Sequence, residues 1–147
     1  MPKIVGFTIF FLAFSAPVLG QGLIELYPNH LGSSPHNAYG FVCKTQTTND
    51  QSIDFTHHKN HCKNDEAKSM ALLGFFKKGT KIFLYDDPHG KLSDDWFEVE
   101  FLQDMANVRY IIPTFEISFQ DKYIKAVYHK KNGLDGKVSR MDIRVPH

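Results

Sequence analysis

His57, His58 and His61 stand beside Cys62, and imidazole nitrogens with a thiolate at such spacing are ligands for zinc or copper. No fourth ligand follows nearby, and Cys62 has a competing use. The chain has only two cysteines, Cys43 and Cys62. An even count in an exported chain reads as one disulfide. It would close a loop of about 20 residues and add about 3 kcal/mol by restricting the unfolded chain. In a reducing compartment the two thiols would instead be free and buried. With the disulfide made, the histidines read as an exposed polar loop tethered at Cys62, whose charge changes near neutral pH.

Carboxylates form the second group. Asp86, Asp87, Asp94 and Asp95 bracket one hairpin, and Glu98 and Glu100 follow on a strand. Paired carboxyls hydrolyse glycosides when they face each other across a cleft. These lie in one hairpin, and Glu98 and Glu100 alternate with Val99 and Phe101, so they read as a solvent-facing edge. Asp94 and Asp95 could also cap the turn or assist a cation. Trp96, which opens that strand, reads as core. No Gly-x-Ser-x-Gly elbow, HExxH motif or phosphate-cradling glycine loop occurs. The expectation is a protein that binds and does not catalyse, without N-glycosylation because no Asn-x-Ser/Thr sequon is present.

What must position these groups is a β-rich chain. Met1 to Gly20 has a basic Lys3, an apolar run from Ile4 to Leu12 and small residues before Gln21, the pattern of a cleaved secretory signal. The whole chain has 17 basic and 16 acidic residues; removing the segment takes Lys3 alone and leaves a formal charge of zero. That balance argues against a nucleic-acid binder. Nothing later in the chain is apolar enough to span a bilayer. Residues 21–147 suffice for a single domain with its own core. Strands are expected at Leu23–Tyr27, Tyr39–Lys44, Ser52–Thr56, Ser69–Gly74, Lys81–Tyr85, Trp96–Leu102, Phe115–Phe119, Tyr123–Tyr128 and Val138–Val145. They are separated by Gly, Pro, Asn and Asp clusters, as in a sandwich. Helical turns fit only near Asn64–Lys68 and Leu102–Asn107.

The chain also repeats itself. Ile24, Leu26, Tyr27 and Gly32 match Ile82, Leu84, Tyr85 and Gly90 at an offset of 58. Asn64, Ala67, Met70 and Leu72 fall on Asp135, Val138, Met141 and Ile143 at an offset of 71, so the second copy is 13 residues longer. Each copy is an apolar strand with an aromatic and a glycine, then a polar turn running into another strand. Fixed-offset repetition marks one structural unit used twice.

These paired openings (IELYPNHLG, IFLYDDPHG) and closings (NDEAKSMAL, DGKVSRMDI) resemble the βγ-crystallin domain, over most of residues 21–147. DDPHGKLSDDW and NGLDGKVSR are similar to secreted microbial members of that superfamily. The resemblance implies a two-Greek-key β-sandwich of βγ-crystallin type. The first key runs over about 23–74 and the second over about 81–145, and the inner faces lie about 10 Å apart. It also implies calcium turns of six positions, with Asn or Asp at the first two and hydroxyls at the last two. Here they read Asn64, Asp65, Glu66, Ala67, Lys68, Ser69 and Asp135, Gly136, Lys137, Val138, Ser139, Arg140. In the family each ion is shared between the turns. One site would use Asp65, the carbonyl of Lys137 and the hydroxyl of Ser139. The other would use Gly136, the carbonyl of Glu66 and Lys68, an ammonium where a hydroxyl belongs. Calcium takes six to eight oxygens, and a cation about 4 Å away opposes it by about 1 kcal/mol or more. At most one calcium site is therefore expected, with Lys68 reaching Asp135 as an ion pair in place of the second. A metal-free reading stays open, since tight turns use the same residues.

By the same resemblance the function is that of a secreted binding or effector protein, acting on a protein or cell-surface target. The alternatives are a structural or stress-related extracellular or envelope protein, a protease inhibitor and a killer-toxin-like protein. The extra length of the second key is placed within Leu102 to Pro113, as the loop to carry recognition.

Overall fold

From Trp96 to Phe101 the side chains alternate: Phe97, Val99 and Phe101 are buried, while Trp96, Glu98 and Glu100 lie on the partly exposed side. That period of two is a strand with one face on a core. The computed structural model describes residues 21–30, 40–57 and 61–147, and every regular element among them is a strand. In order they are β1 (Leu23–Tyr27), β2 (Cys43–Gln46), β3 (Gln51–Asp54), β4 (Ser69–Phe76), β5 (Lys81–Tyr85), β6 (Trp96–Phe101), β7 (Met105–Ile112), β8 (Phe119–Gln120), β9 (Ile124–His129) and β10 (Arg140–Arg144). The expected signal segment, Gly32, Tyr39 and His58 lie outside the described residues.

The strands form two antiparallel sheets, ordered β2-β1-β4-β7 and β3-β10-β5-β6-β9-β8. The all-β expectation is met. The sheets exchange one strand each: β3 joins β10 in the sheet of the second half, and β7 joins β4 in the sheet of the first. The sequence echo is also an echo in register. Ile24 stands opposite Leu72, Leu26 opposite Met70 and Tyr27 opposite Ser69. At the same offsets, Ile82 stands opposite Ile143, Leu84 opposite Met141 and Tyr85 opposite Arg140.

Between the sheets lie Ile24, Leu26, Met70, Leu72, Ile82 and Leu84, all fully buried, with Phe97, Val99, Met141 and Ile143. Phe76 stacks on Phe101 at 4.5 Å. Each such side chain contributes about 1.5–3 kcal/mol by leaving water. The disulfide joins Cys43 to Cys62, with Cα atoms 4.4 Å apart, and fastens β2 to the link that leads to β4.

Several expectations are corrected. The helical turn at 102–107 is absent; β7 begins at Met105 and pairs with β4 from Phe76↔Met105 to Met70↔Ile112. A distant partner strand decides that segment, against the local signal of Asn107, whose φ is 52°. The strand expected at Phe115–Phe119 shrinks to Phe119–Gln120. Phe115 still fills the core, and its N–H is taken by the Asp135 carboxylate (2.9 Å) instead of a ladder partner. The extra length of the second half lies later than 102–113. The link from β3 to β4 covers 14 residues, 55–68, and that from β7 to β10 covers 27, 113–139, so this link holds all 13 extra residues. They include the β8–β9 hairpin, whose second strand pairs with β6.

Candidate functional site

The two polar turns that precede β4 and β10 face each other. Asp65 N–H donates to the carbonyl of Val138 (3.2 Å), and Gly136 N–H donates to the carbonyl of Ala67 (2.8 Å). These bonds exchange under the 71-residue offset, so the turns are related as two halves of one clasp. Asp65 and its counterpart Gly136 both have left-handed backbone, φ 58° and 81°. A glycine adopts this freely, whereas an aspartate held there is uncommon.

On one side of the clasp the three expected groups meet. Ser139 Oγ donates to Asp65 Oδ1 at 3.2 Å and lies 3.4 Å from the carbonyl oxygen of Lys137. Ser139 is buried and Asp65 exposed. The ammonium of Lys137 is turned away, onto Asn132 Oδ1 at 2.7 Å. Asn64, which opens the same turn, has a buried Oδ1 that no donor among the described residues reaches. Carboxylate, carbonyl and hydroxyl oxygens are hard donors, so they fit calcium and not a thiophilic metal.

The acidic hairpin adds to the negative field here. Asp86, Asp94 and Asp95 offer oxygens within 4.8 Å of one another. Burial raises the Asp86 carboxyl above the usual range, the facing Asp94 raises it further, Lys137 opposes, and Asp65 and Asp95 add to the rise. Asp95 is spoken for. It is fully buried and accepts from Tyr128 Oη (2.6 Å) and the N–H groups of Lys131 (2.8 Å), Asn132 (2.8 Å) and Gly133 (3.2 Å). Burial pushes this carboxyl up, but these hydrogen bonds outweigh burial and hold it below its ordinary value. Four donors use the lone pairs of two oxygens. Asp95 is thus a cap for the remote 131–133 turn, not for the turn of its own hairpin as the sequence suggested.

On the other side of the clasp the chemistry is inverted. Lys68 occupies the place of Ser139, and a Cβ at Gly136 would lie 3.4 Å from Lys68 Cε, so the lysine stem runs over the glycine. The expected Lys68–Asp135 ion pair is not formed. Asp135 instead accepts from Thr114 Oγ1 (2.6 Å) and Phe115 N–H (2.9 Å), and lies 3.5 Å from His30 Nδ1. Those partners are closer because the 113–118 loop, part of the extra length, folds against the 134–135 turn, where Glu116 Oε1 also accepts from Leu134 and Asp135 N–H.

Among the described residues, His57, His61 and Cys62 do not come together as a metal site. Cys62 is consumed by the disulfide, His57 Nδ1 lies 2.8 Å from Asp54 Oδ2, and His61 is exposed. Glu98 and Glu100 are on the outer face, as expected, but of an interior strand flanked by β5 and β9, not an edge. Lys81 Nζ holds them at 3.1 and 3.6 Å. Trp96, expected in the core, stacks instead on His129 outside it, with ring centroids 3.5 Å apart. The sequence reading also missed Tyr128 and the turn 131–133 as partners of Asp95. Nothing local to Asp95 signals a strand that joins it 33 residues later.

Comparison with protein-family models, curated proteins and solved structures gave no match. Among the described residues no helix is long and apolar enough to cross a membrane.

Proposed function

We propose that this chain is an exported β-sandwich of βγ-crystallin type, two intertwined Greek keys, that binds one calcium ion and acts by binding, not catalysis. Three features support the keys: the exchanged strands, the equivalent registers of β1–β4 and β5–β10, and the reciprocal hydrogen bonds between the two turns. The observation that carries the metal is the meeting of Asp65, the Lys137 carbonyl and Ser139 from opposite halves of the chain. Those residues would hold the ion, with water completing its shell, and the ion would supply a cross-link between the halves. Lys68 makes the second position hostile to a cation. The disulfide suits an oxidising, extracellular compartment.

The test is a calorimetric calcium titration of the secreted chain beside Asp65→Ala and Ser139→Ala. One site, lost in both variants, is the expected result. No heat in the wild type, with equal melting temperatures in calcium and in chelator, would remove the metal. A calcium-raised melting temperature in a protein that captures no macromolecule would favour the structural role.

A further inference from the structure

The solvent side of the six-stranded sheet carries a second feature, remote from the core. Register places Arg140, Tyr85, Trp96 and His129 in one row across β10, β5, β6 and β9, and Asp142, Phe83, Glu98 and Val127 in the next. Four aromatic rings gather there. Trp96 and His129 stack with 4° between their planes, Phe83 lies 6.2 Å from Tyr85 at 14°, and Phe83 lies 6.4 Å from Trp96. None of these rings belongs to the core between the sheets, and Phe83, Trp96 and His129 are only half-buried.

The charges among and around the rings are paired with one another. Arg140 Nε and Arg144 hold the two oxygens of Asp142 at 2.8 and 3.1 Å, and Lys81 bridges Glu98 and Glu100. Arg140 also donates to the carbonyl of Pro88, in the hairpin whose Gly90 lies against Arg140 and Tyr85. With Lys125 beside Glu100 and Asp54 beside Arg140 on the same face, Arg140, Arg144, Lys81 and Lys125 are matched by Asp54, Asp142, Glu98 and Glu100, so there is no surplus of either sign, and the planar hydrogen-bonding groups of the ion pairs are already fixed in place.

We propose that this face binds an uncharged glycan chain. The apolar C–H side of a sugar ring packs on aromatic surface, and its hydroxyls find carboxylates and guanidinium groups whose orientation the ion pairs have set beforehand. A nucleic acid or an anionic membrane would require excess positive charge. The centre of a protein interface is depleted of charged residues, whereas here they alternate with the rings. The inference does not depend on the calcium site.

Trp96 is the only tryptophan of the chain, so its fluorescence reports on this face directly. The secreted protein is titrated with cellohexaose, laminarihexaose, mannohexaose and chitohexaose, in calcium and in chelator, at low and high salt. A saturable fluorescence change with at least one of them, indifferent to chelator and to salt, is expected. Phe83→Ala by fluorescence, and Trp96→Ala by calorimetry, should each weaken it about tenfold or more with unchanged circular dichroism, which corresponds to about 1.4 kcal/mol. Asp65→Ala should leave it intact. No change with any of the sugars would overturn the proposal. So would full binding by both ring variants, or binding that high salt abolishes.

Discussion

Ser139 Oγ and Asp65 Oδ1 lie 3.2 Å apart although 74 residues separate them in the chain. One belongs to the turn entering β10 and the other to the turn entering β4, and those strands lie in different sheets. An ion held here would tie the sheets together at their clasp. It would raise stability by mass action, by about 2.7 kcal/mol at a hundredfold excess over its dissociation constant. Asp65→Ala should abolish the calcium-dependent part of the melting temperature. In chelator its effect should stay within about 1 kcal/mol, since Asp65 is exposed and alanine also resists a positive φ. Melting curves in the two buffers separate the effects; an equal calcium shift in the variant would rule Asp65 out as a ligand.

The clasp predicts a gain of function as well as a loss. Lys68 and Gly136 hold the positions of Ser139 and Asp65 under the internal offset, and Gly136 has a φ of 81°. Aspartate already tolerates the equivalent left-handed backbone at position 65, so Gly136→Asp should cost only about 1 kcal/mol. Combined with Lys68→Ser, which removes the ammonium and supplies a hydroxyl, it should add a second calcium site. Calorimetry would show the stoichiometry rise from one to two. A double variant that folds and still binds one ion would mean that the two halves are not equivalent in chemistry.

Asp95 is expected to be the most sensitive carboxylate. Asp95→Asn replaces an oxygen acceptor by an amide donor opposite backbone N–H groups that have no other partner, a loss of about 2–4 kcal/mol. The pH dependence follows from sign. Its folded-state carboxyl lies below the unfolded value of about 3.9, so its contribution is fully present above that pH and is lost as pH falls through the folded value. Asp86 and Asp135 are raised, chiefly by burial, and act in the opposite sense: their ionised forms carry a penalty that acid relieves. Melting temperature measured from neutral to acid pH should fall more steeply in the wild type than in Asp95→Asn. Parallel curves would deny Asp95 this role.

The repeat was legible because it is written in apolar residues at fixed offsets, and those residues turned out to be register partners: Leu26 with Met70, Leu84 with Met141. The trio Asp65, Lys137 and Ser139 was expected from the resemblance to βγ-crystallin turns, and it meets because the two aligned turns face each other. Most of the exceptions depend on partners distant in sequence. The start of β7 reads locally as a turn because of Asn107, and only β4 makes it a strand. Lys68 was expected on Asp135 by analogy between the turns, but the extra loop brings Thr114 and Phe115 there instead, and that loop has no counterpart in the first half. Trp96 reads as core by its size, while strand alternation, with Phe97 facing inward, already assigned it to the other face.

The disulfide should matter to the site as well as to stability. Cys43 and Cys62 are both buried, and Cys62 lies three residues before Asp65. Without the bond, the hydrogen bond from Lys63 N–H to the Val42 carbonyl (2.9 Å) is the backbone tie to this region that remains among the described residues of the link before Asp65 reaches Val138. Replacing both cysteines by serine should cost about 3 kcal/mol through the freed unfolded chain, a fall of about 10 °C in melting temperature for a domain of this size. Both cysteines lie in the core, but its large side chains come chiefly from the strands, so the fold should persist, as strand-type circular dichroism would show. Calcium affinity should fall with it, because the turn that carries Asp65 would lose the covalent anchor three residues before it. If melting temperature drops while affinity is unchanged, the disulfide supports the fold and the reciprocal turn contacts suffice to position Asp65.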